Sequence, residues 1–164
     1  MRHEFIAGEI YAMAGGTPEH AALAAAALRA IGNRLPSGCR TYTSDLRVRI
    51  VTQDVTTYPD GAVICGKVAR AEDDALAATN PVVLVEVTSP STEAYDRGPK
   101  LELYKHLASL REVLLVSHDR ARVSIHRREE HGGWSSEDIQ AGAEIDLRSI
   151  GARVPVDDIY RDRE

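Results

Sequence analysis

Val82-Val83-Leu84-Val85-Glu86-Val87 is the stretch that decides how this 164-residue chain is built. Its residues are apolar on both sides of a period-two pattern, as expected of a strand covered on both faces at the centre of a sheet. The exception is Glu86, on the same side as Leu84 and Val82. An ionised carboxylate in such a place is costly unless something compensates it. Three resolutions stand open: a metal or catalytic role, a buried ion pair with Arg47 or Arg49, or an edge position that leaves Glu86 in water.

Outward from this strand, the chain alternates strand and helix patterns. Residues 4–13 read as a hairpin turning at Gly8. Thr17-Pro18-Glu19-His20 supplies an N-cap, a first-turn proline and an acidic first turn for a long helix running to Leu35. Its Ala-rich face lets it lie close to a sheet, anchored by Leu23, Leu28, Ile31 and Leu35. Cys39 to Thr43 and Leu46 to Val51 read as strands, the latter half-solvated because Leu46, Val48 and Ile50 alternate with Arg47 and Arg49. Ala62 to Cys65 is a further strand after the Tyr58-Pro59-Asp60-Gly61 turn. A helix from about Pro99 to Leu107 follows a Ser/Thr/Pro-rich loop, then strands Glu112 to Val116 and Arg122 to Arg128, then a short amphipathic segment after Gly132-Gly133-Trp134. Val156 to Tyr160 fits a last helical turn. No repeat or linker divides residues 1–164, so the expectation is a single α/β domain with a mixed sheet flanked by helices and an N-terminal hairpin.

Composition bounds the chemistry. The chain is 43% hydrophobic with a net charge of -5, but 22 of its residues are Ala, so Val, Leu and Ile must supply the bulk of the core. Disorder, a collagen-like fibre and a disulfide-rich miniprotein are excluded. A strongly cationic DNA binder is argued against. Cys39 and Cys65 lack CxxC spacing and read as buried free thiols, and no segment approaches a membrane span or an export signal. A cytoplasmic protein with reduced thiols is expected.

Asp60 heads one strand and Glu86 lies near the C-terminal end of another. If those strands are neighbours, the two acids converge into a hard oxygen site suited to Mg²⁺ or Mn²⁺. On its own, Asp60 is better explained as Pro-Asp-Gly turn chemistry, and it is the pairing with Glu86 that points to a site. Lys100 lies 14 residues after Glu86, where it either reaches back over the strand ends or sits solvated on its helix. Joined to the acids, it supplies a cation to position water or to stabilise charge on a phosphorane.

These residues resemble the PD-(D/E)XK signature of restriction-endonuclease-like nucleases. Tyr58-Pro59-Asp60, Asn80-Pro81, the run Val85 to Gly98, and Lys100 with Tyr104 resemble the Uma-two family, bacterial proteins described as nucleases of this type. The resemblance extends from Gly8-Glu9 through His20 to Asp158-Ile159-Tyr160. It implies a restriction-endonuclease-like core, Mg²⁺ or Mn²⁺ held by Asp60, Glu86 and the Val87 carbonyl, DNA as substrate, and a homodimer. The position two after Glu86, where the general signature carries lysine, is Thr88; the resemblance takes the lysine from Lys100 instead. His20 and Asp45 fall at family-like positions as possible accessory residues.

Asp96 and Lys100 are spaced i, i+4 and can share a helix face. Pro99 complicates this, because a proline inside a helix costs about 3 kcal/mol or kinks it. A helix starting at Pro99 would redirect Lys100 and separate it from Asp96.

A net charge of -5 is awkward for holding DNA, since phosphate contacts come from Lys and Arg. A basic face drawn from Arg40, Arg47, Arg49, Arg97, Lys100, Arg120, Arg122, Arg127 and Arg128 would offset it; the alternative is that these are solvated strand faces. His118, His126 and His131 lack zinc-ligand spacing, and Gly15-Gly16-Thr17 lacks the lysine of a P-loop. The expected activity is metal-dependent DNA phosphodiester hydrolysis by Asp60, Glu86 and Lys100. The rival is a catalytically silent protein of the same fold serving as a dimeric nucleic-acid- or protein-binding module.

Overall fold

The computed structural model describes residues 2–163. The chain opens with a hairpin, β1 (His3–Ile6) and β2 (Glu9–Ala12), joined by Ala7 and Gly8. Both turn residues have positive φ, 48° and 93°, the backbone that matches the twist of a two-residue hairpin. Helix α1 (Pro18–Gly32) follows, its Thr17 hydroxyl accepting the His20 backbone N–H at 3.2 Å. It ends three residues before Leu35, where Asn33 caps it by donating its N–H to the Arg29 carbonyl.

Then come β3 (Cys39–Thr43), β4 (Arg47–Ile50), β5 (Val55–Thr57), β6 (Gly61–Cys65), β7 (Ala77–Ala78) and β8 (Val83–Val87). Two short helices, α2 (Glu93–Arg97) and α3 (Pro99–Tyr104), lead to β9 (Glu112–Val116), β10 (Arg122–Arg128) and β11 (Trp134–Gln140). The chain closes with the hairpin β12 (Glu144–Leu147) and β13 (Ala152–Pro155) and helix α4 (Val156–Tyr160).

The Val82 stretch does form the centre. In the six-stranded sheet β11-β10-β9-β8-β6-β3, strand β8 is flanked by parallel β9 and antiparallel β6. Its two faces build two cores. Val83, Val85 and Val87 pack with Ala27, Ala30 and Ile31 of α1 and with Ile145, Val154 and Ile159 of the C-terminal elements. Leu84 packs on the other side with Val48, Ile50 and Val55 and with Leu101 and Tyr104 of α3. The fold is thus the expected mixed sheet between helices, with a second sheet, β2-β1-β5-β4-β7, completing one flank. That second sheet explains why Arg49 is nearly buried rather than solvated: Asp54 and Asp73 bind it at 2.7 Å each.

Small residues bring α1 close to the sheet. A Cβ on Gly61 would lie 2.5 Å from Leu28 Cδ2, so the missing side chain lets the helix approach β6 beside Asp60. The expectation of free thiols is corrected. Cys39 and Cys65 are directly opposite each other in the β3–β6 ladder and are joined as a disulfide. Spacing along the chain hides such a pair, because strand register alone makes the two residues neighbours. Among the described residues, no helix is long and apolar enough to cross a membrane.

Candidate metal and catalytic centre

Gly61 and Val85 are the last paired residues where β6 meets β8, so Asp60 and Glu86 stand opposite each other one step beyond that pair. Pro59 and Gly61 mark where the chain enters β6, which leaves Asp60 free to turn toward β8. One Asp60 oxygen, Oδ2, accepts the Val87 backbone N–H at 2.8 Å. His20, placed by the capped first turn of α1, brings its Nε2 to 3.2 Å from the same Asp60 oxygen and 3.0 Å from the Val87 carbonyl oxygen. Asp60, Val87 and His20 therefore meet at one end of β8.

Glu86 faces the other way along this end of the sheet. Its Oε1 lies 2.9 Å from Lys100 Nζ and also accepts the Tyr104 hydroxyl. Glu86 is 3% exposed and Lys100 8%. Glu86 is compensated by Lys100 and Tyr104, and neither Arg47 nor Arg49 takes part: those pair with Asp74 and with Asp54 and Asp73.

The Pro99 question is resolved by a break at Gly98. Helix α2 ends at Arg97 and α3 begins with Pro99 as its first residue, where a missing N–H costs nothing. The new helix directs Lys100 back to Glu86 and still leaves its Nζ 3.9 Å from Asp96 Oδ1. Asp96 is buried and accepts the Thr92 hydroxyl at 2.7 Å. Asp45 is not brought to the cluster. Its side chain is 88% exposed, with Arg2 at 3.7 Å.

Burial and charge set the protonation states. Burial is the largest influence on Glu86 and pushes its pKa up to about 8, against the pull of Lys100. Burial works against the charge on Lys100, yet Glu86, Glu4 and Asp96 together raise its pKa above the ordinary lysine value. For Asp60 the desolvation cost is outweighed by the bonds from His20 and the Val87 N–H, which hold its carboxyl below the usual range. Asp60 in turn raises His20, chiefly through their hydrogen bond. The site thus holds an ionised aspartate, a proton-retentive glutamate and a fixed cation.

The sequence assigns no role to two members of the network. Tyr104 belongs to the family-like pattern with Lys100 but reads otherwise as a core residue on an apolar helix face, and its hydroxyl bond to Glu86 is what places it in the network. Glu4, in β1, accepts the Thr57 hydroxyl and lends negative charge around Lys100. An acid beside Phe5 and Ile6 was the available hint.

The donor chemistry suits a hard divalent cation: a carboxylate, a backbone carbonyl and an imidazole nitrogen share one small space. Glu86 lies beside this space and is bound by Lys100 and Tyr104. Among the described residues, no three His, Cys, Asp or Glu side chains converge into a group that could hold a metal ion by themselves.

A family model described as "Putative restriction endonuclease" matches residues 1–156. The chain belongs to the Uma2 family. Its relatives include the uncharacterised protein slr1290 of Synechocystis sp., 38% identical over 161 residues, which make up 98% of this chain and 84% of the relative. The uncharacterised protein sll1609 of the same organism is 30% identical over 150 residues, covering 89% and 84%. A crystal structure described as a putative nuclease belonging to DUF820, from Anabaena variabilis, matches 97% of this chain and 89% of its own with a TM-score of 0.76. At 19% identity that likeness shows the fold. Membership in Uma2 supports a nuclease function in general terms.

Most of the residues that could have formed a basic face are paired or bonded within the protein and do not gather into a free patch. Arg47 and Arg49 are consumed by acids, Arg97 is bound to Glu93 at 3.0 Å, and Arg127 to Glu137 at 3.0 Å. Arg120 and Arg122 lie 3.4 and 3.8 Å from Asp119 and Asp138. Arg128 donates to the Lys105, Leu107 and Leu110 carbonyls.

Proposed function

We propose that this Uma2 protein is a Mg²⁺- or Mn²⁺-dependent endonuclease that hydrolyses DNA phosphodiester bonds through Asp60, Glu86 and Lys100. The observation that carries the reading is the placement of Asp60 opposite Glu86 at the end of adjacent strands, with Lys100 Nζ 2.9 Å from the glutamate. Asp60, Glu86 and the Val87 carbonyl hold the cation. A bound divalent cation supplies Lewis acidity toward the phosphate and lowers the pKa of water.

The chain's own groups do the rest. Asp60, kept ionised by His20 and the Val87 N–H, offers a full negative charge to the cation. Lys100 stays charged and immobile, so it orients the attacking water and stabilises negative charge developing on the phosphorane without reorganising. Glu86, whose burial favours the protonated form, would give that proton up to solvent on sharing its oxygens between Lys100 and a bound cation. Tyr104 fixes the orientation of that carboxylate. Asp96 holds Lys100 from the α2 side.

The DNA substrate, a homodimer and a cytoplasmic location belong to this proposal. In a reducing compartment the Cys39–Cys65 bond would be exposed to thiol exchange, since Cys65 is exposed. Sedimentation at micromolar concentration reads out the dimer. The activity is tested by incubating plasmid and single-stranded DNA with Mg²⁺ or Mn²⁺ and either wild type or Asp60→Ala; cleavage by wild type alone is the expected result.

A second reading, a non-catalytic binding module, is favoured by one feature. An open groove lined by Ser109, Arg111, Glu112, Arg127, Arg128 and His131 lies at the opposite end of the central sheet from Glu86, beside Val82. Binding of DNA without cleavage under both metals would select it.

A further inference from the structure

His20 occupies a particular place. Its Nε2 touches the two groups assigned to the cation, 3.2 Å from Asp60 Oδ2 and 3.0 Å from the Val87 carbonyl oxygen. In an octahedral centre with bonds of about 2.0–2.1 Å, adjacent donor atoms are about 2.9 Å apart. The imidazole nitrogen therefore already stands from the carboxylate and the carbonyl at nearly the spacing of neighbouring ligands around one ion.

The ring is also held in that orientation. Thr17 caps the turn that carries His20, and Gly16 lies so close that a Cβ there would be 2.7 Å from His20 Nδ1. Glycine at 16 leaves just enough room for the ring to present Nδ1 to the loop and Nε2 to Asp60 and Val87. Both neighbours of Nε2 are acceptors, so in the metal-free protein its hydrogen faces them. With its Nε2 hydrogen lost to solvent, the neutral ring would keep its other hydrogen on Nδ1 and offer the Nε2 lone pair to a cation held there.

We propose that His20 is a protein ligand of the cation, which makes the centre a mixed nitrogen–oxygen site that takes Mn²⁺ in preference to Mg²⁺. This rests on the reading of Asp60 and the Val87 carbonyl as metal ligands. Mg²⁺ keeps to oxygen donors and water, whereas Mn²⁺ accepts imidazole more readily and stands above Mg²⁺ in affinity for nitrogen-containing sites.

Two measurements on the intact protein test it without recourse to cleavage. In the first, Mn²⁺ and Mg²⁺ are titrated calorimetrically into wild type, His20→Asn and Asp60→Ala. Loss of a group that merely supports a ligand weakens metal binding about 10–100-fold, so His20→Asn is expected to lose at least about tenfold in Mn²⁺ affinity while Mg²⁺ changes much less. In the second, pulsed electron paramagnetic resonance of the Mn²⁺-loaded protein reads nitrogen coupling to the metal, expected in wild type and absent in His20→Asn. Tight Mn²⁺ binding with no nitrogen coupling overturns the role of His20 and leaves the carboxylate centre intact. Binding unchanged in Asp60→Ala, or no binding to wild type, overturns the centre itself and His20's role with it.

Discussion

Lys100 Nζ lies 2.9 Å from Glu86 Oε1, and both residues are buried. Removing one member of a buried pair destabilises by about 3–5 kcal/mol because the other is left without compensation. Lys100→Met is expected to lose at least about 3 kcal/mol near pH 9, where Glu86 is ionised, and less near pH 6, where it holds a proton. Adding Glu86→Gln, which still accepts the Tyr104 hydroxyl, should recover most of the loss. Urea unfolding of the single and double variants measures this, and equal stability of Lys100→Met and wild type would contradict it.

Stability should fall as pH rises through neutrality. A group whose folded pKa lies above its unfolded one contributes stability that is complete below the unfolded value and is lost as pH rises through the folded value. For Glu86 that window runs from its ordinary 4.5 to about 8. His20, also raised, acts in the same direction above its ordinary 6.5. Asp60 is lowered, so its contribution is lost only in acid below its ordinary 3.8. The urea midpoint of wild type should decrease between about pH 5 and about pH 8, and Glu86→Gln should flatten that slope. A midpoint that rises over this range would refute the assignment.

The Cys39–Cys65 bond closes a loop with a sequence separation of 26. Chain-entropy arguments give a stabilisation of about 3.5 kcal/mol for such a loop. Reductant, or Cys39→Ser with Cys65→Ser, should lower the unfolding free energy by about that amount. Insensitivity of the midpoint to reductant would show that the pair is not joined in solution.

Asp45 serves as an internal control. Exposed and remote from the cluster, it should have no part in the chemistry, so Asp45→Ala should leave calorimetric metal binding and DNA cleavage unchanged. A loss comparable to Asp60→Ala would place it in the site.

The centre of the fold was legible because Val82 to Val87 is apolar on both faces, a pattern that few positions other than a covered strand produce. Glu86 stood out against it for the same reason. That signal is not specific to function. Glu112 is also a buried acid at the head of an apolar strand, and it is satisfied structurally by the Arg148 and Ser149 backbone N–H groups, each at 3.0 Å. The C-terminal hairpin, β12 and β13, carries little strand signal in the sequence because Arg153 and Asp146 interrupt short apolar alternations that only pairing makes into strands. Lys100's reach depended on a helix break at Gly98, which proline chemistry allowed without dictating. His20 and Asp60 are 40 residues apart in sequence and meet only because α1 lies against β6 and β8.

The central claim is hydrolysis of DNA at a centre built on Asp60, Glu86 and Lys100. The most direct measurement follows supercoiled plasmid with Mn²⁺, with Mg²⁺ and with chelator, comparing wild type and Glu86→Ala at equal protein concentration. The account expects metal-dependent conversion to nicked or linear DNA by wild type, abolished by chelator, and at least about a hundredfold slower for Glu86→Ala, since loss of a metal ligand removes both charge stabilisation and water activation. Cleavage at the same rate by both proteins, or by neither, would contradict it.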